Sequence, residues 1–360
     1  MNKAGGLRIA GLALAVLIVF GLLVYFVIVL SDPWRLPTRD WWRYKKQFIA
    51  SDGRVIDTGN DGVTHSEGQG YGMILAVAYG DRSTFDRIWN WTQAHLQTRP
   101  NDKLLSWLWK PSGEDGGSVA DVNNASDAEV LVAWALLRAS KRWQDYAYQQ
   151  AAAEILVDLR RLSIKDSPQG PVLVPGLEGF LRDDGIVVNP SYFVFPALQA
   201  FAKTFPGSGW DALCASGLHI AADARFGQWS LTPDWVLAGT AFSLPKTFPP
   251  DFGYNAIRVP LHLAWADPKS PLLDPFADFW KQFPDLAKAP ATVNLETNAF
   301  GPNPALPGLQ SVARFILACK SGTRLTVRDI PPVMTDEPYY SASLKLLTKL
   351  AVRESLGGKE

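Results

Sequence analysis

Thr64-His65-Ser66-Glu67-Gly68-Gln69-Gly70-Tyr71-Gly72-Met73 is the stretch on which the reading of this chain turns. Three glycines alternate with polar and aromatic residues around one carboxylate, a composition that lets backbone approach a ligand closely. Glu67 is therefore a candidate to line a cleft. The competing reading is a helix start in which Ser66 caps the first turn and Glu67 faces the positive end of the helix dipole. His65 by itself reads as a hydrogen-bonded structural residue.

Working outward, Ser126-Asp127-Ala128-Glu129 has the S-x-x-E form of a capping box and precedes Val130, Leu131, Ala133, Trp134, Leu136 and Leu137, so a helix is expected to begin there. Asp127 falls in its first turn, where it can accept helix N–H groups or contact a substrate hydroxyl or water. Ser83 to Leu96 sets Phe85, Ile88, Trp89, Thr92 and Leu96 on one face at helical spacing. Similar periodicity recurs from Asp145 to Leu162, Tyr192 to Thr204, Gly209 to Asp223, Asn255 to Trp265, Leu309 to Leu317 and Tyr340 to Val352. Strand-like alternation is sparse and short. The expected class is all-α, as a bundle, a solenoid or a closed ring of helical hairpins; periodicity does not choose among them, although no strict repeat supports a regular solenoid.

The whole chain bounds the function classes. Its 360 residues are 47% hydrophobic and 19% charged, enough for one large domain. Thirty-five basic residues balance thirty-five acidic ones, so no global field draws the protein onto nucleic acid. Fourteen tryptophans suit stacking on the C–H faces of sugars as well as core packing. Between the two carboxylate blocks, Ser106-Trp107-Leu108-Trp109-Lys110 allows either use. Cys214 and Cys319 are the only cysteines; isolated as they are, they read as free buried thiols, and neither a zinc cluster nor a disulfide framework is expected.

Ile9 to Leu30 carries no charge, and 22 helical residues extend about 33 Å, enough for a bilayer core. Lys3 and Arg8 precede it, which keeps the N-terminus in the cytoplasm and exports the rest. The run exceeds a signal-peptide core and ends without a small-x-small site, so an uncleaved transmembrane anchor over residues 1–31 is expected, with a cleaved signal peptide and a soluble periplasmic product as the rival. A linker over 32–40, marked by Pro33 and Pro37, leads into a domain over 41–360.

Glycoside hydrolysis uses two carboxyl groups, one protonated to assist departure of the leaving group and one charged to activate water or attack the sugar. Glu67 and Asp127 are of the required type. No Gly-x-Ser-x-Gly elbow, phosphate loop or His-Glu-x-x-His motif offers competing chemistry.

From about Trp41 to Val352 the chain resembles glycoside hydrolase family 8, most closely the periplasmic endoglucanases of bacterial cellulose-synthesis operons. The likeness is carried by Gly53-Arg54-Val55-Ile56-Asp57, the Ser66 to Met73 block, Trp107-Leu108-Trp109, Asn189-Pro190-Ser191-Tyr192, Pro233-Asp234-Trp235 and Ala256-Ile257-Arg258-Val259. The family signature is matched by Ala125 to Ala133, with Glu129 and Val132 as departures. The resemblance implies an (α/α)6 barrel with an open cleft at one end, and hydrolysis of β-1,4-linked glucan with inversion and without metal or organic cofactor. It gives Glu67 the place of the proton donor and Asp127 that of the carboxylate touching the sugar at the cleavage point. Tyr71, Trp107, Trp109, Tyr192 and Arg258 become the expected substrate-binding residues. It also implies a membrane-bound cellulose synthase complex as partner.

One departure bears on mechanism. Many relatives have Asp where this chain has Asn255, in Tyr254-Asn255-Ala256-Ile257-Arg258, and an amide orients water without removing its proton. Asp127, or less favourably Asp251, is then expected to act as base. A catalytically weak glucan-binding component of a synthase, and a helical scaffold that merely packs its tryptophans, are the readings from other classes.

Overall fold

The computed structural model describes residues 32–113 and 116–357, so the uncharged segment read as a membrane anchor lies outside the described residues. Among the described residues no helix is long and apolar enough to cross a membrane. They contain eleven α-helices: α1 (Thr38–Phe48), α2 (Ser66–Tyr79), α3 (Arg82–His95), α4 (Ser126–Trp143), α5 (Tyr146–Ser163), α6 (Phe195–Thr204), α7 (Trp210–Asp223), α8 (Arg258–Ala266), α9 (Asp274–Trp280), α10 (Pro307–Ser321) and α11 (Tyr339–Leu356). The first of them begins at Thr38, with Asp40 and Trp41 buried.

Helices α2, α4, α6, α8, α10 and α11 each pack on the next, and α11 packs back on α2, which closes a ring. Outside it, α3, α5 and α7 lie on the ring helix that precedes them in the chain, α9 on α10, and α1 on α11 and α2. This is the inner-and-outer arrangement expected of an (α/α)6 barrel, except that α10 runs on to α11 with no outer α-helix between them.

Two kinds of connection decide where a site can be built. From ring to outer helix the links are short: residues 80–81, 144–145, 205–209 and 267–273. Gly80 and Gln144 take left-handed backbone to end α2 and α4, and Asp81 and Asp145 cap the helices that follow, so each pair turns back on itself within a few residues. The return links, 49–65, 96–125, 164–194, 224–257 and 281–306, are long. Short turns make the ring helices parallel to one another, so their N-termini and all the long links gather at one mouth.

The glycines of the opening block serve packing, which corrects the reading that they admit a ligand. Helix α2 buries every residue except Glu67 and Tyr79. A Cβ on Gly68 would lie 2.7 Å from Tyr339 Oη, one on Gly70 2.7 Å from Leu131 Cβ, and one on Gly72 2.9 Å from Val55 Cγ2. Side chains there would hold the ring helices apart. Gln69, fully buried, accepts from Val55 N at 2.6 Å and donates to Thr92 Oγ1 at 2.8 Å, tying the incoming loop and α3 to α2. Ser66 does not cap: its Oγ is buried without a hydrogen-bond partner, and the N-cap residue is His65.

A helix does begin at Ser126, but the capping box does not form. Ser126 Oγ donates to Val174 O at 2.7 Å, and Glu129 turns away to accept from Leu105 N at 2.7 Å and Asn124 Nδ2 at 3.2 Å. Those partners flank a hairpin of β2 (Ser106–Ser112) and β3 (Gly116–Asn124), to which β1 (Thr64–His65) adds on the β2 edge. Most of β3 is exposed, so it lacks the alternation by which a half-buried strand announces itself. Glu129 thus fastens the hairpin carrying Trp107 and Trp109 to the ring. Two buried ion pairs fasten α11 in turn: Lys349 Nζ to Asp40 Oδ2 at 2.6 Å and Lys345 Nζ to Glu337 Oε1 at 2.8 Å. Cys214 and Cys319 are free thiols, the former buried and the latter partly so.

Burial pushes the Glu129 carboxyl up to about 8, against the backbone and amide donors that favour its charge. Above about 4.3 the unfolded chain has released this proton while the native state still holds it, so the native state loses stability as pH rises from there towards 8. In urea unfolding followed at pH 5 and pH 8, Glu129→Gln should flatten that decline; an unchanged slope would show that Glu129 does not carry it.

Candidate active site

At the mouth of the ring the expected carboxylates meet on one cation. Arg258, the first residue of α8, is only 3% exposed. Its Nη1 donates to Glu67 Oε1, to Asp127 Oδ2 at 3.1 Å and to Tyr71 Oη at 3.0 Å, while Nη2 donates to Asn255 Oδ1 at 2.8 Å. Its guanidinium carbon lies 5.7 Å from the ring centroid of Tyr192. Glu67, Tyr71, Asp127, Tyr192, Asn255 and Arg258 are thereby brought together from four elements far apart in sequence.

Glu67 and Asp127 are each the second residue of a ring helix, where unpaired N–H groups favour a carboxylate. They differ in access. The Glu67 side chain is 25% exposed and that of Asp127 2%. Burial, then the neighbouring Glu67 charge, push Asp127 up to about 7, against the pull of Arg258. Its Oδ1 has no hydrogen-bond partner. Tyr71, expected to touch substrate, is instead 1% exposed and donates to Glu67 Oε1 at 2.5 Å; burial holds its phenol well above the ordinary range, so it stays a donor.

The two tryptophans part company. Trp107 is half-buried and stacks on His65, centroids 5.6 Å apart. Trp109 is 7% exposed, with the Arg54 guanidinium 4.8 Å over its ring and the Trp91 ring edge-on at 5.5 Å. A Cβ on Gly117 would sit 2.0 Å from it. Its indole packs against these neighbours, unlike the more exposed Trp107. Asp251 pairs with Asn294 in a short strand, and no hydrogen bond joins its carboxylate to Glu67, Asp127, Asn255 or Arg258 among the described residues.

Because one nitrogen serves both carboxylates, their nearest oxygens stand no more than two hydrogen bonds apart, about 6 Å.

A cavity of about 340 Å³ opens beside Glu67, Asn255 and Arg258, walled by Asp57, Tyr254, Leu306, Tyr339 and Tyr340. Tyr340 Oη donates to Tyr254 O at 2.5 Å, joining the start of α11 to the link before α8. A larger cavity, about 490 Å³, lies between α5 and α7 against Leu156, Val157, Arg160, Phe205 and Trp210; it has no carboxyl group, so the chemistry belongs to the mouth. Sequence reasoning missed Asp57, Tyr254, Tyr339 and Tyr340. Asp57 and Tyr254 border quoted motifs, but nothing local marks the two tyrosines that open α11. No group of three or more His, Cys, Asp or Glu among the described residues is arranged to hold a metal.

The profile of the glycosyl hydrolases family 8 matches residues 16–354. An endoglucanase of Cellulomonas uda is 40% identical over 297 residues, 81% of this chain and 82% of its own length. A probable endoglucanase of Novacetimonas hansenii is 39% identical over 321 residues, 88% of this chain and 91% of its own. Among solved structures, the family 8 endoglucanase Cel10 of Klebsiella pneumoniae superposes with a TM-score of 0.81 at 39% identity, covering 88% of this chain and 99% of that one. The endo-β-1,4-glucanase CMCax of Acetobacter xylinum gives 0.79 at 39% identity, over 88% and 98%. With a closed ring of helices, a carboxylate pair at its mouth and a match along nearly the whole described length, the chain belongs to glycosyl hydrolase family 8.

Proposed function

We propose that this protein is an endo-β-1,4-glucanase that cleaves cellulose-type glucan with inversion at the mouth of the helix ring. The observation that carries the reading is the single buried guanidinium holding Glu67, which reaches the cavity, against Asp127, which does not. The near full-length relatives that are endoglucanases favour catalysis over mere glucan binding.

In this reading Glu67 protonates the departing glycosidic oxygen, oriented by Tyr71. Asp127 lies beneath, its buried Oδ1 left without a hydrogen-bond partner and so free to accept from a water or sugar hydroxyl brought to it, and its carboxyl, pushed up to about 7, has the basicity suited to taking a proton near neutrality. Asn255 orients the water and Arg258. Trp107 offers the stacking surface, and the tyrosines at the cavity wall supply hydroxyls.

Glu67→Gln should leave folding and cello-oligosaccharide binding intact and lower turnover by at least about 10²-fold; near-normal reducing-end release from carboxymethylcellulose would reassign the acid. Since Asp127 takes the proton, Asn255→Asp should leave turnover unchanged or lower it, because a new carboxylate competes for Arg258. A several-fold rise would mean that the amide limits water activation and that Asp127 is not the base.

The uncharged run from residue 9 to residue 30 and the two cations before it support an anchor in the inner membrane with the ring domain in the periplasm, beside a membrane-bound synthase whose glucan it trims. Fractionation should then recover the intact chain with inner membrane. Soluble periplasmic protein whose sequence begins near Ser31 would establish a cleaved leader instead.

A further inference from the structure

Asp234 belongs to none of the groups considered for catalysis, yet its carboxylate organises the segment that presents Asn255 and Arg258. Its Oδ1 accepts from three backbone N–H groups, Gly253 at 3.1 Å, Asn255 at 3.1 Å and Ala256 at 2.6 Å. Its own N–H donates to Asp251 O at 2.7 Å, which fixes its backbone against the same segment. The turn that Oδ1 gathers runs straight into α8: Ile257 N donates to Gly253 O, Arg258 N to Asn255 O and Val259 N to Ala256 O. Asp234, nineteen residues before Gly253 in the chain, thus gathers the turn that leads into α8.

What it holds is the geometry of the buried cation. Asn255 contacts Arg258 twice, through its backbone O with Nε at 3.4 Å and through Oδ1 with Nη2 at 2.8 Å. A shift of the Asn255 backbone therefore moves both anchors of the guanidinium whose other nitrogen holds Glu67 and Asp127. Residue 253 is matched to this arrangement, because a Cβ there would stand 3.0 Å from Asp234 Oδ2 and press on the carboxylate.

We propose that Asp234 is a positioning residue for the glucanase reaction: through the Asn255 turn it sets Arg258, and through Arg258 the acid Glu67 and its partner Asp127. The inference rests on the reading of those residues as the catalytic pair. A positioning role needs an oxygen that accepts, which an amide keeps, whereas a proton-removing role needs a basic carboxylate, which an amide lacks.

The test compares Asp234→Asn and Asp234→Ala in the full-length chain, with kcat and KM on carboxymethylcellulose, cellohexaose affinity and near-ultraviolet circular dichroism. Asp234→Asn should keep kcat within about threefold of wild type, with an unmoved pH profile. Asp234→Ala, still folded, should lose kcat by at least about tenfold and bind cellohexaose at least about tenfold more weakly, an effect the size of one lost hydrogen-bonded charged group. Wild-type behaviour of Asp234→Ala would overturn the proposal. So would an Asp234→Asn as inactive as the alanine variant with its acid limb gone, which would make Asp234 the base. A wild-type protein without activity on any β-1,4-glucan would refute the enzyme reading instead, and cellohexaose affinity would still decide the positioning role by the same comparison.

Discussion

A buried guanidinium is the constraint on which the site depends. Arg258 is almost wholly removed from water, and a charge so placed is tolerated only when paired and hydrogen-bonded. Two carboxylates, a phenol oxygen and an amide oxygen supply that pairing. Each comes from a different part of the chain except Asn255 and Tyr71, which are local to Arg258 and Glu67 respectively. The residues that would do the chemistry are thus also those that make the cation affordable, and none can be removed without leaving charge or an acceptor stranded.

The ring exists to bring these partners to one point. Each ring helix delivers its first turn to the mouth, and Glu67, Asp127, Arg258, Tyr339 and Tyr340 all occupy first or second positions of such helices. Convergent N-termini add a positive field that favours anionic side chains there, while burial opposes it. The outcome differs by depth: for Asp127 burial prevails. That split between a reachable carboxylate and a sunken one follows from packing, since both stand at the same position of their helices.

How much of this was legible in the sequence depends on whether an element has two different faces. The outer helix α3 does, and Phe85, Ile88, Trp89 and Thr92 are all buried as their spacing predicts. Helix α2 is surrounded, so it shows no polar stripe, and its glycines look like a loop until Leu131, Val55 and Tyr339 are seen against them. The start of α8 was placed three residues early, at Asn255, because the turn that Asp234 gathers carries helix-like residues without being helix. Helices α1 and α9 went unread, α9 being too short to show a period. In the site, the carboxylate types and the resemblance located Glu67, Asp127, Asn255 and Arg258. Asp234 lay in a quoted block, but its role exists only through bonds to a segment distant in sequence.

Equal numbers of acidic and basic residues give no long-range field, while at the mouth Arg258 stands between two carboxylates, Glu67 and Asp127. A neutral polysaccharide gains nothing from electrostatic steering, so its capture has to rest on short-range terms: stacking on rings such as Trp107, and hydrogen bonds to its hydroxyls from the groups that line the cavity.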